Sequence, residues 1–455
     1  MSEEINYGQY PAIHFVGIGG VSMSALAEIM RLRGHAVSGS DLVESSATEQ
    51  LRAAGVRVDI GHRAQQVEGA DLVVYTAAVA RDNPELAAAR AAGIPLMERA
   101  PFLGGILQLY GYPIGVSGTH GKTTTTSMIS QILLETGADP TVLIGGTLPL
   151  IGHNYRIGQS PYIVYEACEY VDSFLHFRSR ITVILNIDCD HLDYFSGIAQ
   201  IRDSFARFAD LTLPGGCVVA NADDEQVRLA LAGHRGEVLT FSVEDPGADV
   251  YGRLLEEGPL TAFEVFEAGV SVGVCRLRVP GLHNVKNALA AIAACRRAGV
   301  AFEDLRAPLE GFSGVKRRFE HRGTWPGARV VDDYAHHPTE IAATLRAAQN
   351  MGYGRVFCVF QPHTYSRTKA LLDDFAAALS LADRVLLTDI YAAREAPDPT
   401  IGSEQLAARI ENARYCGDMA RAMSLLKEEL RPDDLLITMG AGDIYKLGET
   451  LLKEP

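Results

Sequence analysis

The sequence predicts an α/β fold, built on mostly parallel sheets and arranged in three segments. Three observations carry that reading. Short β-type runs alternate with helical patterns along nearly the whole chain, which is how helix-covered parallel sheets are written. The order strand, glycine turn, helix starts afresh at three places. And 455 residues exceed one ordinary domain. Boundaries are expected near residues 107 and 322, giving segments 1–107, 108–322 and 323–455.

Composition narrows the function classes. Hydrophobic residues make up 47% and charged residues 21%, ordinary material for several buried cores. The formal net charge of −15 argues against bulk binding to nucleic acid or an anionic membrane. An anionic substrate would need local Arg and Lys to hold it against that field. The seven cysteines (168, 189, 217, 275, 295, 358, 416) include no Cys-x-x-Cys pair, so neither a disulfide framework nor a zinc knuckle is expected. The acidic, polar start "MSEEINYGQY" does not read as a signal peptide. Apolar runs are broken by glycine or charge before membrane-span length. These features predict a soluble cytoplasmic protein.

The first segment opens with "AIHFVGIGGVSMSALAEIMRLRG". A strand over 12–16 enters a glycine turn. A helix follows with Met23, Leu26, Ala27 and Met30 at helical spacing. A second strand, "HAVSGSD", ends at Asp41. The turn is nearly the dinucleotide fingerprint, with Gly17, Gly19 and Gly20, and Asp41 stands where an acid meets a ribose hydroxyl. Ser22 occupies the place of the third glycine, which weakens the dinucleotide reading. The pyrophosphate of a UDP-sugar fits the same loop equally well.

The second segment opens with "YPIGVSGTHGKTTTTSMISQILLETG". A phosphate needs backbone N–H groups converging without Cβ interference, and a mobile cation. Gly118 and Gly121 allow the loop, and Lys122 supplies the cation. Thr123 can place a hydroxyl on Mg²⁺, and the helix that follows points its positive end at the anion. The pattern is the shorter G-x-x-G-K-T, since position 116 is Val. The bland alternative is a glycine turn with a solvated lysine. Two strand candidates follow, "YIVYEACE" and "ITVILNIDCDH". They end in Glu166 and Glu169, and in Asn186, Asp188, Asp190, His191 and Asp193. Magnesium on a nucleotide takes oxygen ligands, so Glu166 and Thr123 could share one ion and His191 could reach a second. Taken alone, "DCDHLDYF" also reads as a polar loop with a helix cap. "GLHNVKNALAAIAACRRAG" reads as a helix opening near His283, with Asn284 and Asn287 near its start. These asparagines suit either a nucleobase edge or a cap.

At the junction, "GVKRRFEHRG" gathers Lys316, Arg317, Arg318 and Arg322. Such a run is a solvated face, or an arginine that reaches a γ-phosphate on domain closure. The third segment carries "VVDDYAHHPTEI" and "FQPHTYSRTKAL" after strands, bringing Asp333, His336, His337, His363, Arg367 and Lys369 to strand ends.

These motifs, in this order and over essentially the whole chain, resemble the Mur ligases of bacterial cell-wall synthesis. The resemblance implies three domains. A Rossmann-like N-terminal domain would bind the UDP part of UDP-N-acetylmuramate through Gly17, Gly19, Gly20 and Asp41. A central P-loop ATPase-like domain would bind ATP and Mg²⁺. There Gly118, Thr119, His120, Gly121, Lys122, Thr123 and Thr124 match the loop. Thr123, Glu166 and His191 match the metal positions, and His283 and Asn287 the nucleoside side. A Rossmann-like C-terminal domain would close over the site. It brings Asp333 and Arg318 toward ATP, and His337, His363 and Arg367 toward the substrates. The implied catalytic group is Lys122, Glu166, His191, Arg318 and His363. The implied reaction is ATP-dependent addition of L-alanine, by a monomer or homodimer. A tripeptide-adding recycling ligase is the alternative within the family. Outside it stand a dinucleotide-dependent oxidoreductase and a non-catalytic nucleotide sensor. Cys168 stands where the family often has an aspartate, which leaves open how a second metal would be completed.

Overall fold

A computed structural model describes residues 5–453. The first four residues of the acidic N-terminal stretch lie outside it. Three sheets account for the fold. The first has five parallel strands in the spatial order Arg57–Ile60, Ala36–Asp41, Ala12–Val16, Leu72–Tyr75, Leu96–Glu98. The chain leaves Ala12–Val16 to one side first and returns to the other. The glycine turn after that strand therefore sits at the crevice where the order reverses. The helix Val21–Leu32 buries Met23, Leu26, Ala27 and Met30, the stripe its spacing predicts.

The ten-stranded middle sheet repeats that device. Tyr112–Ser117 lies between Ile181–Ile184 and Tyr162–Glu166, parallel to both. The second glycine loop, at the end of Tyr112–Ser117, thus occupies another reversal point, with Glu166 ending the strand on one side. The strand expected over 181–191 stops at Ile184. Beyond it the backbone turns into a loop whose polar groups serve the site. Antiparallel pairings flank the parallel run, His153–Arg156 at one edge and the ribbon Val250–Leu277 at the other.

The third sheet orders Glu320–Trp325, Ala328–Asp333, Asp434–Met439, Arg355–Phe360, Arg384–Thr388 and Ala413–Gly417, parallel except for the first pair. Its opening strand, Glu320–Trp325, spans the position near 322 where a boundary was expected. Separate apolar clusters cover its two faces, one around Phe360 and Phe375, the other around Phe357 and Leu426. The first domain's core runs on into the middle domain through Phe102, Phe174 and Phe205. All seven cysteines are free thiols. Among the described residues, no helix is long and apolar enough to cross a membrane.

Candidate active site

The first glycine turn is closed by its own neighbours. The N–H groups of Gly17 and Ile18 donate to the Ser40 carbonyl at 2.8 and 2.9 Å. The N–H of Gly19 donates to Asp41 Oδ2 at 2.8 Å. A Cβ at position 19 would lie 2.9 Å from both Asp41 Oδ2 and Thr48 Cγ2, so a larger residue would force one of these side chains to move. Asp41, expected to face a ribose, has one oxygen committed to the turn, because its strand ends beside the loop. Beneath lies the buried Glu85, bonded to His14 Nε2 at 2.6 Å and Ser40 Oγ at 2.7 Å. Burial works against its charge, but His14, Ser40 and His62 together lower its pKa. A groove of about 260 Å³, lined by Ser24, Gln50, His153, Asn154 and Lys316 among others, separates this domain from the middle one. Asn154 bridges the two by donating to the Val21 carbonyl at 2.8 Å.

The second loop is held differently. The helix Lys122–Glu135 starts on Gly121 (φ +85°) with no side-chain cap. Its first N–H groups are therefore not satisfied by a cap and point into the loop, the arrangement that suits a phosphate. A Cβ at 121 would lie 2.5 Å from Asn287 Oδ1, so glycine lets the adjoining helix Leu282–Arg297 approach. Lys122 Nζ donates to Glu169 at 2.9 and 3.1 Å and to the Gly118 and Thr119 carbonyls. Burial opposes the lysine's charge, but the Glu169 carboxylate outweighs it and the pKa rises. Glu166 is bonded by Thr123 and by the Gly145 N–H. Its pKa is raised, chiefly by burial. A half-buried carboxylate beside a hydroxyl, both hard oxygen donors, fits a divalent cation. His191 (φ +54°) lies against Tyr170, ring centroids 4.6 Å apart and tilted by 34°, with its Nε2 3.8 Å from Glu169.

Between the middle and C-terminal domains lies a cavity of about 400 Å³, within the range of small-ligand sites. Thr123, Thr124, His283, Asn284, Asn287, Lys286, Arg318 and Asp333 contribute to its wall. Burial pulls the His283 pKa down to about 4, so this ring is neutral near pH 7. Arg318 sits between two left-handed residues, Arg317 (φ +61°) and Phe319 (φ +49°). Its guanidinium covers the Tyr334 ring at 5.1 Å. Asp333 accepts the Phe319 and Ala335 N–H groups at 2.8 and 2.7 Å, pinning the turn that aims Arg318. Burial lifts the Asp333 pKa to about 6 against the pull of Arg318.

His120 joins the phosphate loop to the C-terminal domain. Its Nε2 meets Asp188 at 3.0 Å and its Nδ1 meets Glu340 at 3.3 Å. Burial would lower its pKa, but the two carboxylates raise it to about 9. His337, expected at the substrate, is committed elsewhere. Nδ1 accepts the Thr339 N–H, capping the helix Pro338–Gln349, and Nε2 donates to the Cys189 carbonyl at 3.3 Å. These rings are engaged by carboxylates, a cap and a carbonyl, so the His120–Asp188–His337 cluster forms a hydrogen-bonded brace between the two domains. Arg367 and His363 stand together at the far end of the same loop, where Arg367 binds Asp190.

The structure therefore gathers Gly118–Thr124, Glu166, His191, His283, Asn287, Arg318 and Asp333, with His363 and Arg367 alongside. It keeps Gly17, Gly19, Gly20 and Asp41 in a separate crevice. Sequence reasoning gave no role to Glu169, Asp188, Asp190 or Glu340. The first three were visible as strand-end acids; only folding brings Glu340 to the phosphate loop.

Three family models match the chain: "Mur ligase family, catalytic domain" over residues 12–110, "Mur ligase middle domain" over 116–295, and "Mur ligase, glutamate ligase domain" over 317–442. The UDP-N-acetylmuramate–L-alanine ligase of Acetivibrio thermocellus is 48% identical over 452 residues, 98% of this chain and 96% of that protein. Its counterpart in Caldanaerobacter subterraneus subsp. tengcongensis is 46% identical over 99% of each chain. The crystal structure of the UDP-N-acetylmuramate–alanine ligase of Thermotoga maritima superposes with a TM-score of 0.81 at 31% identity, covering 97% of this chain and 98% of that one. A murein peptide ligase from Psychrobacter arcticus gives 0.72 at 27% identity, over 97% and 98%.

Proposed function

The chain belongs to the Mur ligase family, and from that premise we propose how it joins L-alanine to UDP-N-acetylmuramate in peptidoglycan synthesis. The reaction consumes ATP and gives UDP-N-acetylmuramoyl-L-alanine, ADP and phosphate. One observation carries the assignment of the site. The loop after Ile184 touches the phosphate loop at one end, through Asn186 and the His120 N–H at 2.8 Å. At the other end it touches Arg367, through Asp190 at 2.9 Å. Two half-reactions can therefore share one short stretch of backbone.

The lactyl carboxylate is a poor acyl donor because its leaving group would be oxide. Its oxygen attacks the γ-phosphorus of ATP, ADP departs, and an acyl phosphate forms. The α-amine of alanine, having lost its ammonium proton to water, then attacks the carbonyl carbon; the tetrahedral intermediate releases phosphate, and the second proton passes to solvent or to that phosphate. In our reading the N–H groups of Gly118–Thr124 cradle the phosphates, with the base in the cavity beside Asn287 and His283. Lys122 exchanges Glu169 for the transferring phosphoryl group, and Arg318 approaches it from the other domain. Thr123, Glu166 and His191 would hold Mg²⁺, which when bound offsets phosphate charge. The Gly17–Gly20 turn takes the UDP moiety, and Asp41 keeps that turn in shape. His363 and Arg367 take the amino acid. His120 and His337 brace the C-terminal domain over the loop, which keeps water from the acyl phosphate. ATP and a sugar nucleotide are cytoplasmic compounds, so the reaction belongs there.

The test is phosphate release with ATP, Mg²⁺, UDP-N-acetylmuramate and L-alanine, each omitted in turn. Release is expected only with all four. Turnover with a tripeptide in preference to L-alanine would point to the recycling ligase instead.

A further inference from the structure

Arg367 does not face open space. Nη2 and Nε both donate to one oxygen of Asp190, Oδ1, at 2.9 and 3.3 Å. The same oxygen accepts the His191 N–H at 2.7 Å, while Nη1 of Arg367 donates to the His363 carbonyl at 3.1 Å. Among the described residues no donor reaches Asp190 Oδ2; its ion-pair contact is His191 Nε2 at 4.0 Å. Both side chains are nearly covered, 15% exposed for Arg367 and 11% for Asp190. At that exposure Asp190 Oδ2, which no donor among the described residues engages, is open to a donor from a ligand. The arginine binds end-on to a single oxygen, so the pair lacks the two-point fork that a closed ion pair would adopt.

A free α-amino acid carries an anion and a cation one carbon apart. A neighbouring cation and anion of the protein complement both. We propose that Asp190 receives the α-ammonium of the incoming amino acid while Arg367 receives its carboxylate. The pair thereby selects a free, zwitterionic α-amino acid. Binding inserts the zwitterion between partners that hold each other in its absence, so each charge exchanges one counter-ion for another and none is left bare. This inference rests on the reading of Arg367 as the carboxylate anchor.

The experiment compares L-alanine with L-alaninamide, which keeps the ammonium and lacks the carboxylate, in wild type, Asp190→Asn and Arg367→Ala. Asparagine keeps Oδ1 for the His191 N–H. Asp190→Asn should lower kcat/KM at least about thirtyfold, as expected for removing one partner of a buried charge pair. The loss should be of similar size for both amines. Arg367→Ala should lower kcat/KM far more for L-alanine than for alaninamide. An Asp190→Asn enzyme that loses L-alanine but not alaninamide would show that Asp190 only braces Arg367, and would overturn the proposal. So would an Asp190→Asn enzyme with wild-type kinetics. Unchanged KM values for ATP and the sugar nucleotide verify an intact site. Should the variant not fold, wild type offers a second readout through L-lactate, which keeps the carboxylate and replaces the ammonium. Lactate should compete with L-alanine at least about thirtyfold more weakly. Equal competition would overturn the ammonium contact. A wild-type enzyme that does not ligate L-alanine at all would instead remove the underlying reading.

Discussion

The turn at Gly17–Gly20 and the loop at Gly118–Thr123 share a local grammar: parallel strand, glycines, helix, reversal of strand order. They differ in what neutralises them. The first gives the Gly19 N–H to Asp41 and rests on a buried network around Glu85. It has no cation of its own. The second begins an uncapped helix, and its Lys122 is held by Glu169 from another strand end. It is also linked through His120 to a different domain. The difference teaches that one local pattern can close on the protein's own acceptors in one place and leave an uncapped helix beside a cation in another, with charges from elsewhere in the chain setting which.

The largest expected break in the comparison is Lys122→Ala. It should cost about a thousandfold or more in kcat/KM, since it removes the cation on the transferring group. Sugar-nucleotide affinity should stay nearly unchanged, because that turn lies in the other domain. Steady-state kinetics with a binding titration checks both parts. Next comes Glu166→Ala, which should raise the Mg²⁺ requirement or remove activity. A magnesium titration of the initial rate that matched wild type would make Glu166 structural.

Gly19→Ala sharpens the contrast from the other side. The new Cβ would meet the Asp41 and Thr48 side chains, so these or the turn must give, at a cost of about 1–3 kcal/mol. Sugar-nucleotide affinity should fall while the KM for ATP holds; a drop in ATP use alone would contradict the division of labour. The last expected effect is on stability and not on turnover, through pH dependence. The His120 pKa is raised from 6.5 to about 9, so its stabilisation is complete below pH 6.5 and is lost as pH rises through 9. Wild type should lose stability over that window by up to on the order of 3 kcal/mol more than His120→Asn. Thermal melts across pH 6–10 measure this, and parallel curves would remove His120 as a charged link.

Local pattern made both glycine loops, the strand-end acids Glu166 and Asp41, and the apolar stripe of Val21–Leu32 legible in the sequence. A loop or a helix face is written within a few residues. The pairings that set the charges are not. Glu169 meets Lys122 from 47 positions away, Thr339 meets Asp188 from 151, and Arg367 meets Asp190 from 177. The cap made by His337 is hidden from the sequence for a related reason. As a histidine after a strand it looked free for a ligand, but the helix beginning at Pro338 needed a cap and took one of its nitrogens. Asp41 likewise looked like a ligand contact, and the neighbouring turn engages one of its oxygens.

The claim that the two loops divide the two nucleotides is met most directly by a paired calorimetric titration. UDP-N-acetylmuramate and a non-hydrolysable ATP analogue with Mg²⁺ are each titrated into Lys122→Ala and Gly19→Ala. Lys122→Ala should lose affinity for the ATP analogue and keep the sugar nucleotide. Gly19→Ala should do the reverse. A Lys122→Ala protein that binds the ATP analogue normally and loses UDP-N-acetylmuramate would contradict the account.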